Sequence, residues 1–177
     1  MLAEQTIETR RLLAELRADV KRLVDEMTST PNFMKRTQGV GVLDKKIARD
    51  YSPVGPLMRG SGFARDTRWV HPFDGYKLIA DKHKPITEDS CDVLGRTLVR
   101  IGEVFDSIDI IEELLDMELP KGPVLTEGWT YDPNKFALGF TEAPRGEDMH
   151  WSMVGDNQKC YRWRCKASTY SNWPVLR

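Results

Sequence analysis

Seven apolar residues, Leu94, Leu98, Ile101, Phe105, Ile108, Ile111 and Leu115, recur at steps of three and four within residues 88–118. That spacing places them on one face of an α-helix, in a stripe close to a heptad. A stripe so long must lie along another long helix. Residues 6–28 supply the partner, with Leu12, Leu16, Val20, Leu23, Val24 and Met27 at the same spacing among mixed acids and bases. The two are expected to form an antiparallel pair or part of a larger bundle. Thr87 or Ser90 is the expected cap of the second helix, and Leu119-Pro120-Lys121-Gly122-Pro123 its stop.

After Gly122 the pattern changes to that of strands. Residues 124–131 and 136–140 read as short extended segments. Residues 149–154 and 160–167 flank Gly155-Asp156-Asn157-Gln158, a good hairpin turn. In the second arm Tyr161, Trp163 and Cys165 alternate with Arg162, Arg164 and Lys166, so one face is expected to be buried and the other basic. A half-buried strand accounts for this interleaving without nucleic-acid binding. The predicted class is α+β: long antiparallel helices plus a small antiparallel sheet. Residues 1–120 form the helical scaffold, and residues 121–177 form the β-rich region.

Between the helices lie two loop segments. Gln38-Gly39-Val40-Gly41-Val42-Leu43 lacks the third glycine and acidic partner of a dinucleotide fingerprint, and reads as a turn leading to Asp44, an N-cap for a helix over 45–50. Residues 51–83 are rich in Gly, Pro and Arg with little periodicity. Phe63, Trp69, Phe73 and Tyr76 give them area to bury, so an ordered loop packed on a subunit or on more of a larger chain is expected. In Glu142-Ala143-Pro144-Arg145-Gly146, proline stiffens the backbone and glycine frees it, so Arg145 stands on a fixed corner. Its guanidinium, with five donors in a planar fork, suits an anion or a ligand with strong acceptors.

Composition narrows the function classes. Lys plus Arg number 26 against 27 Asp plus Glu, so nothing draws the chain to nucleic acid or an anionic membrane in bulk. No apolar run is long enough to cross a bilayer. Three Cys without CxxC, and three scattered His, give neither a disulfide framework nor metal-ligand spacing. A reducing compartment is expected, and no metal held by this chain alone.

Three segments carry a family resemblance: Gly55-Pro56-Leu57-Met58-Arg59-Gly60-Ser61-Gly62, Ala137-Leu138-Gly139-Phe140-Thr141-Glu142-Ala143-Pro144-Arg145-Gly146, and His150-Trp151-Ser152-Met153-Val154-Gly155-Asp156-Asn157-Gln158-Lys159. With these the chain resembles the large subunit of nickel-iron hydrogenases of the membrane-bound, energy-converting group, and it is similar to the formate hydrogenlyase type. The first two segments are shared in looser form with the quinone-site subunit of respiratory complex I, an NADH:quinone oxidoreductase. The third, continuing through Tyr161-Arg162-Trp163-Arg164-Cys165 to Asn172-Trp173-Pro174, belongs to the hydrogenlyase type.

The resemblance implies interconversion of dihydrogen with protons and electrons at a nickel-iron centre carrying cyanide and carbon monoxide, with electrons derived from formate. It implies an iron-sulfur small subunit as partner, further hydrogenlyase subunits including membrane subunits, and a cytoplasmic, peripheral position on the membrane's inner face. The family's nickel is held by two CxxC motifs, both absent here, so an inactive internal fragment, prone to self-association, is expected. Arg145 matches the family arginine beside the metals, and Pro144 the same wall. Ser168 and Thr169 match the place of an amide and a hydroxyl against a cyanide, although many relatives have proline where Ser168 stands. Two alternatives remain: a complex I-like subunit forming part of a quinone site, and a metal-free interaction module docking through residues 55–68.

Overall fold

The computed structural model describes residues 2–118, 122, 125, 127–128 and 130–176. Helix α1 (Leu2–Ser29) and helix α7 (Val93–Asp116) are the two long elements, with five short helices between them. These are α2 (Pro31–Thr37), α3 (Lys45–Tyr51), α4 (Pro56–Arg59), α5 (Thr67–Val70) and α6 (Tyr76–Ile79). Strands β1 (Phe136–Ala143), β2 (Gly146–Val154) and β3 (Cys160–Lys166) follow, then helix α8 (Ser168–Asn172). The α+β class holds. No described helix is long and apolar enough to cross a membrane.

Helices α1 and α7 pack against each other, and their ion pairs fix the direction. Arg10 meets Asp116 at 2.6 Å while Arg17 meets Asp109, so numbers rise on one helix as they fall on the other. The pair is antiparallel. The expected α1 stripe is only partly covered: Val20, Val24 and Met27 are partly buried, Leu12, Leu16 and Leu23 are about half exposed, and the buried leucine is Leu13, outside that stripe.

The start of α7 differs from expectation. Neither Thr87 nor Ser90 caps it; Asp92 does, accepting from Gly95 N. The reason is Cys91, whose φ of 62° turns the chain left-handed and ends any helix begun earlier. Ser90 Oγ instead donates to Asp92 Oδ1 at 2.8 Å. The other Asp92 oxygen accepts from Gly39 N at 2.7 Å, which ties the 38–43 turn to the helix start. Asp44 caps α3 as its sequence implies, accepting from Lys46 N and Ile47 N.

Residues 51–83 contain three short helices, of which α4 packs against α7 and α5 against β1. A small core gathers Leu43, Ala48 and Met58, with Leu57, Phe63 and Val175 against it. Val99, Ile108 and Ile110 are buried on α7, and Ile79 is buried on α6. The expected strand over 124–131 and the helix stop at 119–123 lie largely outside the described residues.

The sheet has the order β1-β2-β3 and is antiparallel throughout. Strand β1 runs further than expected, so Pro144 and Arg145 are the two residues of a hairpin turn closed by the pair Ala143 and Gly146. Strand β3 contradicts its expected half-burial, because all of its residues are exposed. Alternation fixes which side chains share a face; β3 is an edge strand, and no described element covers either of its faces.

Candidate functional site

The Pro144-Arg145 turn is held from three directions. Gly55, with φ of 67°, backs onto it so closely that a Cβ there would lie 2.4 Å from Arg145 O. Gly146, with φ of 124°, is equally confined: its Cβ would meet Val54 Cγ2 at 2.5 Å and Gly55 N at 2.7 Å. Only glycine meets both demands at each position. Asn172 of α8 closes the arrangement, its Oδ1 accepting from Val54 N at 2.8 Å and its Nδ2 donating to Arg145 O at 3.2 Å. One amide side chain thus bridges the Gly55 turn and the Arg145 turn.

This brings Arg145, Ser168 and Thr169 to one cavity of about 170 Å³, with Leu57, Arg100, Asn172 and Trp173 also on its wall. Ser168 is buried, whereas Arg145 and Thr169 are exposed. The Arg145 guanidinium therefore stands at the cavity mouth rather than around a buried anion, and among the described residues it forms no ion pair. Pro144 faces the other way. It lines a larger, mainly apolar cavity of about 400 Å³ between α1 and α7, with Leu13, Leu16, Val104, Ile108 and Ile111. Arg100 borders both cavities.

Behind the turn lies a buried ionic cluster. Arg59, fully buried, approaches Glu142 Oε1 at 2.8 Å and Asp66 Oδ2 at 3.2 Å through Nη1, which also donates to Arg65 O at 3.1 Å. Its Nη2 lies 2.7 Å from Glu103 Oε1, an ion pair without hydrogen-bond alignment. Arg68 grips Asp66 with Nε and Nη2 at 2.9 and 2.6 Å. Glu142 Oε2 accepts from Thr67 N at 3.1 Å, and Thr67 Oγ1 donates to Glu147 Oε2 at 3.3 Å. The cluster fastens α4, α5 and α7 to the two strands that carry the turn.

Two guanidinium groups here face three carboxylates, those of Asp66, Glu103 and Glu142. Burial pushes the Glu103 carboxyl up, against the opposing pull of Arg59 and Arg68. Burial alone would lower Arg68, but its bonds to Asp66 and the charge of Glu103 outweigh it and hold the group cationic. Arg59 is thus committed inside the protein and is not a docking residue; Arg65, exposed, is the arginine of that loop on the surface.

Arg100 and Asn172 were missed as site residues. Arg100 sits on the polar side of a heptad helix, where a charge reads as solvated. The two Asn172 bonds cross 118 and 27 residues, and no local pattern signals them. Among the described residues, no three His, Cys, Asp or Glu side chains are grouped to hold a metal ion.

The family model of the respiratory-chain NADH dehydrogenase 49 kDa subunit matches residues 2–136. The chain belongs to this family. Within the 49 kDa subunit family it is similar to formate hydrogenlyase subunit 5 of Escherichia coli (strain K12), 55% identical over 178 aligned residues that take in all of this chain and 31% of that protein. It is also similar to hydrogenase-4 component G of the same organism, 49% identical over all of this chain and 28% of that protein. Among solved structures, a chain of the membrane-bound sulfane sulfur reductase, an archaeal respiratory membrane complex, superposes with a TM-score of 0.82 at 28% identity. The match takes in 94% of this chain and 46% of that one. The chain therefore spans under a third of the length of the two bacterial relatives. Its kinship is with subunits of oxidoreductase complexes, hydrogenases among them.

Proposed function

We propose that this chain is the part of a nickel-iron hydrogenase large subunit that walls one side of the metal centre, in a complex of the formate hydrogenlyase type that reduces protons with electrons from formate. The observation that carries this reading is the convergence of Arg145, Ser168 and Thr169 on one cavity, in a chain 55% identical to formate hydrogenlyase subunit 5. Two guanidinium groups and two hydroxyls around one small cavity fit the outer contacts of a metal group bearing anionic cyanide ligands. They do not fit nickel itself, which takes thiolates; Cys160 and Cys165 are exposed on β3, and Cys91 lies at the start of α7. The nickel thiolates belong to other parts of the longer subunit.

When bound, such a centre supplies heterolytic cleavage and formation of dihydrogen. This chain's own residues bind and orient. Arg145 donates charge-assisted hydrogen bonds to an acceptor on the group, and free base is scarce at a guanidinium near neutral pH, so a donor role is the simpler one. Thr169 offers a hydroxyl donor from the first turn of α8. Asn172 and the paired glycines keep the turn from drifting, and the buried cluster anchors it to the helices. An iron-sulfur small subunit and membrane subunits complete the assembly, with the chain peripheral on the cytoplasmic side.

The test is nickel and iron content, with hydrogen evolution from reduced viologen, measured on the full-length subunit matured in its complex. Stoichiometric metals and turnover support the reading, and a folded, matured complex without nickel overturns it. A second reading has its own support in the 49 kDa family match and in the apolar cavity of about 400 Å³ bordered by Arg68, Arg100 and Glu103. A cavity of that character suits a quinone ring, as in a complex I-like subunit. Nickel-free complex with quinone-dependent electron transfer is the outcome that favours it.

A further inference from the structure

The strand register builds a patterned surface that the proposed chemistry does not use. On β1, Phe136, Leu138 and Phe140 form one column, and all three are exposed. Their partners on β2 are Met153, Trp151 and Met149, each half-buried. The next neighbours on β3 are Arg162, Arg164 and Lys166, all exposed. Directly paired residues of an antiparallel sheet point to the same side. One face therefore carries three rows, each running from an apolar edge through Met or Trp to a cation. Phe136 stacks on Trp151 at 5.9 Å, which fixes the apolar side. Among the described residues none of the three cations makes an ion pair.

The lower end of this face is occupied by the protein itself. Glu142 and Glu147, the next paired row, turn toward Thr67 and the buried cluster, and His71 packs edge-on against Phe140 at 5.4 Å. Phe140 stays partly exposed beside His71, and Phe136 and Leu138 above it are exposed.

We propose that this three-row face docks an amphipathic helix of a partner protein, one with acidic residues at i, i+4 and i+8 along one side and apolar residues beside them. Dimensions and charge both select this occupant. Two apolar columns about 5 Å apart offer a strip about 10 Å wide, the diameter of one helix with its side chains. Alternate residues along β3 stand about 6.7 Å apart, close to the rise of about 6 Å across four helical residues, so each cation meets one acid. Unpaired cations bordering an apolar strip give such a helix its register.

The test uses the full-length subunit in its assembled complex, with a benzophenone photo-crosslinking residue at Leu138. The expected product joins Leu138 to a helix of another subunit that bears acids at that spacing. The triple variant R162E/R164E/K166E then co-purifies that subunit about tenfold less or weaker still, and changing its acids to Lys restores assembly. The crosslink is made with the native basic column in place, so it remains decisive if the triple variant fails to fold. A crosslink to lipid, to the same subunit, to a segment without acids, or to nothing overturns the proposal, as does full assembly of the triple variant.

Discussion

Arg59 has no solvent contact, and its charge is met by carboxylates arriving from three elements: Asp66 before α5, Glu103 on α7 and Glu142 on β1. Removing one member of such a set strands the others in a dry setting. Arg59→Met is therefore expected to cost about 3–5 kcal/mol in urea unfolding, because it leaves carboxylates unbalanced. Glu103→Gln keeps the shape and removes a charge that burial already disfavours, so it should cost at most about 1 kcal/mol. Equal losses in the two variants would mean that the cluster is not organised around the arginine. Sequence alone gave no access to this pairing. Arg59 stands in a Gly-Pro-Arg loop, where an arginine reads as a surface contact, and its partners lie up to 83 residues away.

At the scale of elements, Asp92 and His83 each join a helix to a loop. Asp92 accepts from Gly39 N, Gly95 N and Ser90 Oγ. Burial would raise its carboxyl, but these bonds win and hold it below the usual range. Asp92→Ala should cost about 1–2 kcal/mol as a lost cap, read from chemical unfolding, and should free the 38–43 turn to hydrogen exchange. His83 lies between Asp106 and Glu113 of α7, with Nδ1 at 2.7 Å and Nε2 at 3.1 Å, and stacks on Trp69. In the protonated ring both nitrogens donate, one to each carboxylate. Burial opposes that charge, yet the two acids outweigh it and raise the pKa above its ordinary 6.5. The sign follows: this stabilisation is fully present below about pH 6.5 and fades as pH rises through the folded value. Thermal unfolding across that window should slope downward in the native chain and flatten in His83→Gln.

The two long helices were legible because a repeated step of three and four has one structural meaning, and Asp44 because a cap acts locally. The α7 start was not, since the left-handed Cys91 moves it past Thr87 and Ser90, the expected caps, to Asp92. The β3 pattern gave the correct alternation of side chains but not what covers them.

Over the whole molecule, exposed apolar side chains among the described residues include Leu12, Leu16 and Leu23 of α1, Phe136, Leu138 and Phe140 of β1, Tyr161 and Trp163 of β3, and Tyr170 of α8. The Arg145 turn lies at the joint where the 55–59 turn, α8 and the β1–β2 hairpin converge, with Pro144 on the cavity that Leu13 and Leu16 of α1 also line. Arg145, Ser168 and Thr169 were reached through the family resemblance, whereas Arg100 and Asn172 came only from the fold. The decisive measurement is hydrogen turnover and metal content of Arg145→Lys in the full-length, matured complex. Lysine keeps the charge and loses the planar fork. The result expected is stoichiometric nickel and iron with turnover lower by about a hundredfold or more, the scale of losing a preorganised donor. Full metal content with unchanged turnover would contradict a place for Arg145 beside the reacting centre.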